Sequence, residues 1–329
     1  MTTACALRVE MYEPTHANEW RAFVESSENG TLFHDLDFLS YHPANRFDTH
    51  HLVFRRNGDV IGLLPAAIVA GSDGKRMLKS PYGASIGGPV LPVKQRAETT
   101  LSVVTELQGY VTDLDLAGIE MRIGPNIYAR HPNDNLSFAL TACGFAQTHR
   151  WLEHVIPLPS NPRDVLNGAR ANRRNTYHSA LRRGLKVAPA DADQLGPFYE
   201  ILLANRAKHG ARPTHTLSEI ERIYQLSPNR VQLFACTLDS NMMAGLLVFE
   251  LNDRVAYAFY LCHDDRFEEY RTSVVTTLWV ASHYAGRGYR YLDLGPTSFD
   301  DLSLNSGLAA FKEELGGLGF CRDAWRWER

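Results

Sequence analysis

Lys312 stands in the run Asn305-Ser-Gly-Leu308-Ala-Ala-Phe311-Lys312-Glu-Glu-Leu315-Gly-Gly317. Apolar residues at 308, 311 and 315 predict a helix with one buried face. At about 100° per residue, Lys312 lies only about 40° from Leu308, on that same face. Glu313 and Glu314 are expected to point away. An inward lysine either snorkels or meets a charge. Near an acyl-transfer centre such a cation could stabilise an oxyanion, or bind a carboxylate or phosphate. Asp293, in Tyr291-Leu-Asp293-Leu-Gly295-Pro-Thr297, sits at the end of a short apolar strand, a common address for functional residues in open α/β sheets. It could equally cap the following turn with Thr297 or Ser298.

The third candidate is a basic segment. Between Arg163 and Lys186 there are seven basic residues, Arg163, Arg170, Arg173, Arg174, Arg182, Arg183 and Lys186, against one acid, Asp164. On a helix Arg170, Arg173, Arg174 and Tyr177 share one face. A cationic stripe ending in an aromatic suits a phosphate-bearing or RNA ligand. The plain alternative is a solvated helix, in which Arg182 and Arg183 complement the helix dipole before Gly184 at C′.

Other patterns fail on context. Gly83-Ala-Ser85-Ile-Gly87 has the G-x-S-x-G form, but Gly88-Pro89 follows where a nucleophile elbow needs a helix, so residues 80–92 read as a glycine-rich loop. The thirteen histidines include the neighbours His50-His51 and the pair His209 and His215. None has H-E-x-x-H spacing or a cysteine partner, so no metal site is expected. Gly286-Arg-Gly288 lacks the third glycine of a dinucleotide loop.

The elements that would position these residues come in two similar sets. Thr99-Thr100-Leu101 opens a helical stretch that leads to Ile119-Glu-Met-Arg-Ile-Gly124-Pro125. Thr276-Thr277-Leu278 does the same before Tyr291-Leu-Asp-Leu-Gly295-Pro296. Upstream, Leu52–Phe54 with Val60–Leu64, and Val231–Ala235 with Ala244–Phe249, read as hairpins whose second strands are nearly continuous apolar, as for strands buried on both faces. Helical segments precede them at 18–25, 195–208 and 217–226. The expected class is α/β or α+β: two copies of one unit, each a mixed sheet with flanking helices. The boundary is expected in the turn-rich Pro157–Pro162, giving domains 1–157 and 158–329.

Composition agrees. The 329 residues suffice for about two domains at ~150 each. A net charge of -3 excludes a globally basic nucleic-acid coat but not a local basic patch. Cys5, Cys143, Cys236, Cys262 and Cys321 are odd in number and far apart, as for reduced thiols rather than a disulfide framework. Met1–Pro14 shows no secretory pattern, and the longest apolar run, Val60–Ala70, is broken by Gly62 and Pro65. A soluble, cytoplasmic protein is expected.

Together these pieces resemble the Fem-type (FemAB/FemX-like) branch of the GNAT N-acyltransferases, which contain two tandem GNAT folds. Glu19-Trp20 with Phe23, then Gly30-Thr-Leu-Phe33-His34, is similar to the family's opening tryptophan and substrate-facing turn. Ala171 to Val187 is similar to its basic helix, glycine and strand. Tyr291–Gly295 and Gly307–Lys312, ending Gly316-Gly317, are similar to its C-terminal signature. The resemblance implies an aminoacyl-tRNA donor, an amine acceptor, amide formation, no cofactor, and a functional role for Lys312; Asp293, from its strand-end position, is the second catalytic candidate. With such a donor, the basic segment is expected to contact tRNA through Arg170, Arg173, Arg174, Tyr177, Arg182 and Arg183. In this reading Tyr260, Asp293 and Thr297 line a cleft between the halves, Phe311 contacts substrate, and Tyr82 with Ser85 face the acceptor. The family also includes enzymes thought to use acyl-CoA. Ordinary GNAT proteins hold the CoA pyrophosphate on a Q/R-x-x-G-x-G/A loop. The corresponding Arg266-Phe-Glu-Glu-Tyr-Arg-Thr-Ser273 has no glycine and two acids, which disfavours CoA. No long coiled-coil arm is present. The alternatives are an acyl-CoA-dependent N-acyltransferase and a non-catalytic ligand- or RNA-binding protein.

Overall fold

A computed structural model describes residues 7–43, 45–71, 74–208 and 210–329. His209 and Cys5 lie outside the described residues. The chain forms two compact units, Met1–Arg150 with Cys321–Arg329, and Trp151–Phe320.

The first unit contains β1 (Arg8–Met11), α1 (Ala17–Ser26), α2 (Leu36–Leu39), β2 (Asp48–Thr49), β3 (Leu52–Arg56), β4 (Asp59–Leu64), β5 (Ala67–Ala70), β6 (Arg76–Ser80), α3 (Ala97–Asp113), β7 (Gly118–Ile123) and α4 (Asn135–Ala142). The chain enters the second unit along β8 (Ala146–Pro157). There follow α5 (Val165–Gly168), α6 (Ala171–Arg182), β9 (Lys186–Ala190), α7 (Leu195–Ala207), α8 (Leu217–Leu226), β10 (Val231–Leu238), β11 (Asn241–Glu250), β12 (Val255–His263), α9 (Thr272–Gly286), β13 (Tyr291–Pro296) and α10 (Ser306–Glu314). The chain leaves the second unit along β14 (Leu318–Glu328).

Each unit has a tight antiparallel hairpin, β3–β4 and β10–β11. The turns are Asn57-Gly58 and Asp239-Ser240, all four with positive φ, which matches the twist of the flanking strands. Each unit also has a right-sized crossover in which a helix joins two parallel strands, β6–α3–β7 and β12–α9–β13. The two sets expected from the sequence are therefore real structural repeats. In the first unit β1-β3-β4 form one sheet and β2-β5-β6-β7-β14 run in order in another. In the second the order is β8-β13-β12-β11-β10-β9.

β11 is buried over its last eight residues and α9 over ten of fifteen. A helix apolar nearly all round belongs at the centre of its unit. Val274, Val275, Leu278 and Tyr284 of α9 pack with Phe234, Leu246 and Leu292 of the sheet. The first unit's core joins Val103, Val104 and Leu107 of α3 to Leu52, Ile119 and Trp325.

Three side chains depart from the sequence expectation. Leu308 is 37% exposed; the buried side of α10 is Ala309 and Lys312, followed by Leu315. Glu314 does not point into solvent but binds arginines of the basic segment. Tyr177 lies in the core with Ala180, so its ring is not offered to a base. Helical periodicity fixes spacing around an axis, but not which arc the neighbouring elements cover.

Candidate active site

β12 and β13 pair only at Val255↔Tyr291, Ala256↔Leu292 and Tyr257↔Asp293. Among the described residues no further pairing joins them, although both strands continue. On its other side β13 shifts register against β8 between Asp293 and Pro296. Gly295 permits the shift, with φ at +77° in the left-handed region that glycine adopts without strain. Its N–H donates to Asp293 Oδ1 at 2.6 Å, and the Asp293 side chain is fully buried.

The turn presents two carbonyls to α10. Lys312 Nζ donates to Gly295 O at 2.8 Å and Pro296 O at 3.0 Å. Lys312 is 5% exposed. Burial pulls its ammonium down to about 8, while the nearby Asp293 and Glu153 carboxylates oppose that shift. Glu153 faces Pro296 across the β13–β8 ladder and is itself buried. An ammonium is costly to bury unless it is hydrogen-bonded and near opposite charge, and Lys312 has two carbonyl acceptors with the Asp293 and Glu153 carboxylates nearby. The inward lysine is thus not a snorkelling one.

His154, beside Glu153, ties the same elements together. Its Nδ1 is 2.9 Å from Thr297 Oγ1 and its Nε2 is 3.3 Å from Glu313 Oε1. Thr297 donates to Leu152 O through both N–H, at 2.7 Å, and Oγ1, at 3.1 Å. Sequence reasoning missed Glu153 and His154. Their only signal is an acid and a histidine side by side inside the apolar strand Leu152-Glu-His-Val-Ile156.

The other candidates fall elsewhere. Phe311 is half-buried against the core of the second unit. The Tyr260 hydroxyl is engaged by His215, through its N–H at 3.3 Å and Nδ1 at 3.0 Å, with the Arg206 guanidinium 5.9 Å from the ring centroid. In the first unit the Tyr82 hydroxyl is 3.3 Å from His51 Nε2, and its ring meets Phe47 edge-on. Burial pulls His51 down to about 4, so it is neutral. Ser85 is half-buried in a loop that opens no helix. Trp20 and His34 have structural work: the indole N–H donates to His34 O at 2.8 Å.

In the basic segment Arg170 and Arg173 both bind Glu314, Arg173 Nε at 2.8 Å from Oε2. Arg174 donates to Ala169 O. Arg183 pairs with Glu269 at 3.1 Å and stacks over the Tyr270 ring at 3.8 Å. Arg182 is exposed, and Gly184 follows with φ +93°, as a C′ residue should.

Residues 168–313 match the family described as an acetyltransferase (GNAT) domain. Among solved structures the chain is similar to FemX, at 15% identity, TM-score 0.75, covering 97% of each chain. It is similar to the C-terminal domain of a putative lysylphosphatidylglycerol synthetase from Agrobacterium fabrum, at 12% identity, TM-score 0.61, covering 95% of this chain and 91% of that one. A tandem GNAT protein from the clavulanic acid biosynthesis pathway aligns at 13% identity, TM-score 0.56, over 98% of both chains. No curated protein matches the sequence. The fold and the matched segment define a GNAT-type acyltransferase fold. Within that class the chain has the Fem-like, tandem form. No helix among the described residues is long and apolar enough to cross a membrane.

Proposed function

We propose that this protein is an N-acyltransferase that moves an aminoacyl group from aminoacyl-tRNA to an amine of a small molecule or peptide. The amine nitrogen attacks the ester carbonyl. A C–N bond forms, the C–O bond to the tRNA 3′ end breaks, and the amine proton goes to the leaving oxygen. No covalent enzyme intermediate is needed.

The observation that carries this reading is Lys312. Its two carbonyl contacts occupy two of three ammonium donors, and the third would meet the oxyanion or a donor phosphate. Asp293 acts as a positioning residue, because it holds the Gly295 turn that holds Lys312. Arg170, Arg173, Arg174, Arg182 and Arg183 would contact tRNA phosphates, the first two after release from Glu314. Tyr82 and Ser85 would face the acceptor. The likeness to FemX, and to a domain whose name describes a lysyl product, supports an aminoacyl donor.

One observation favours acyl-CoA instead. The first turn of α9 has no side-chain cap at Arg271, and the buried Thr272 Oγ1 has no hydrogen-bond partner. A helix N-terminus of that kind suits phosphate. The decisive experiment incubates candidate amines with charged tRNA or acetyl-CoA, with and without RNase, and reads products by mass. RNase-sensitive amide supports the first reading, and CoA release supports the second. Neither product leaves a binding protein. Full activity of Lys312→Ala with an intact fold would sink the mechanism.

A further inference from the structure

His263 ends β12. Its Nδ1 lies 3.0 Å from Ser273 Oγ in the first turn of α9, which fixes the ring and aims Nε2 at two carboxylates. Asp265 Oδ1 is 3.4 Å away and Glu268 Oε2 is 3.2 Å away. The donor atoms of all three residues lie within 4.8 Å of one another.

These spacings fit coordination better than hydrogen bonding. A charge-assisted N–H···O bond to carboxylate spans about 2.7–2.9 Å, and one Nε2–H cannot serve two acceptors well. Ligands about 2.0–2.2 Å from a tetrahedral cation stand roughly 3.3–3.5 Å apart, close to both distances. A metal-bound histidine also needs its other ring nitrogen held by a partner, which Ser273 does. Two cations neighbour the cluster and leave the relevant oxygens alone. Lys208 takes Asp265 Oδ2, and Arg271 takes Glu268 Oε1.

We propose that His263, Asp265 and Glu268 form a divalent-cation site of the N/O type that Zn²⁺ favours, with its remaining positions open to water or an anionic oxygen. The carboxylates are about half exposed, so the site faces solvent. Lys208 and Arg271 compete electrostatically with the metal, so they weaken it. The site uses neither Lys312 nor the aminoacyl-tRNA contacts, and it lies beside the α9 N-terminus that the acyl-CoA reading would use.

The test is calorimetric titration of the full chain with Zn²⁺ alone, with visible absorption of the Co²⁺ form as a geometry probe. One equivalent should bind. Binding should be lost in His263→Ala and in Glu268→Gln, the latter on an exposed turn where the fold is not at stake. Lys208→Met should tighten binding several-fold, because it removes a competing cation. Less than one equivalent, or binding that survives both ligand substitutions, is adventitious and overturns the proposal. So does a Lys208→Met protein that binds no tighter.

Discussion

The two units share a crossover, and they finish it differently. In the first, β6 and β7 pair from Met77↔Gly118 to Ser80↔Met121. After the loop that follows β6, the chain rejoins β7 in the same, parallel direction. Gly87 bridges Ile123, and its N–H donates to Arg122 O at 2.8 Å. Ser80 Oγ pins the start of this loop by donating to Pro65 O and accepting from Gly88 N. In the second unit, residues 264–271 form a polar turn, and no such segment pairs with β13 among the described residues. The glycines tell the same story. A Cβ on Gly124 would come within 2.8 Å of Ile86 and 3.0 Å of Tyr128, whereas one on Gly295 would meet nothing nearer than Tyr257 at 3.5 Å. One copy fills the gap beside its strand with its own chain. The other has no such segment among the described residues, and the carbonyls of its Gly295 and Pro296 are met by the buried Lys312 instead.

The largest effect expected from that contrast belongs to Lys312. Lys312→Met should lower transfer at least ~100-fold, as loss of an oxyanion donor does. Activity of the parent protein should fall as pH rises through about 8, where the ammonium deprotonates. Stability should move the other way. The folded-state value lies below the usual lysine value, so between about 8 and 10.5 the unfolded chain binds more protons. Stability relative to Lys312→Met should therefore rise across that window, by up to roughly 3 kcal/mol. Denaturant titrations of both proteins at pH 7.5 and 10 check the sign.

Gly295→Ala against Gly124→Ala sharpens the comparison. The first puts a side chain at φ +77°, at a cost of about 1–2 kcal/mol, and disturbs the carbonyl that holds Lys312. It should lower kcat more than the stability loss explains. Gly124→Ala should lower the melting temperature and leave kcat of the folded enzyme alone.

Glu314→Gln should have a moderate effect. It frees Arg170 and Arg173, so tRNA should bind a few-fold tighter, with a salt slope steeper by roughly 0.9 per arginine that reaches a phosphate. Unchanged affinity would mean that these arginines simply fasten α6 to α10. The smallest effect is that of Tyr82→Phe, which removes one long contact to His51. Acceptor KM should rise about threefold with kcat intact. No change in KM would remove the first unit from acceptor binding.

The repeat was legible because it rests on local signals: apolar runs, Asn-Gly, and Gly-Pro after each second strand. Lys312 was legible through helical phase, although Leu308, the residue that set the phase, turned out exposed. Glu153, His154 and the Glu314 pairs were not legible. Each depends on which strand or helix lies opposite, and spacing along one chain holds no record of that. The basic segment shows the same limit, because its charge count ignored an acid about 140 residues away.

β14 carries a consequence for biosynthesis. It pairs with β7 from Asp323↔Ile123 to Glu328↔Gly118 and delivers Trp325 to the first unit's core. During translation β7 must wait for all of Trp151–Phe320 to be made before its partner exists. At about 5–20 residues per second, that leaves an open strand edge on the nascent chain for roughly ten to thirty seconds. The unit that leaves the ribosome first is therefore the last to be completed.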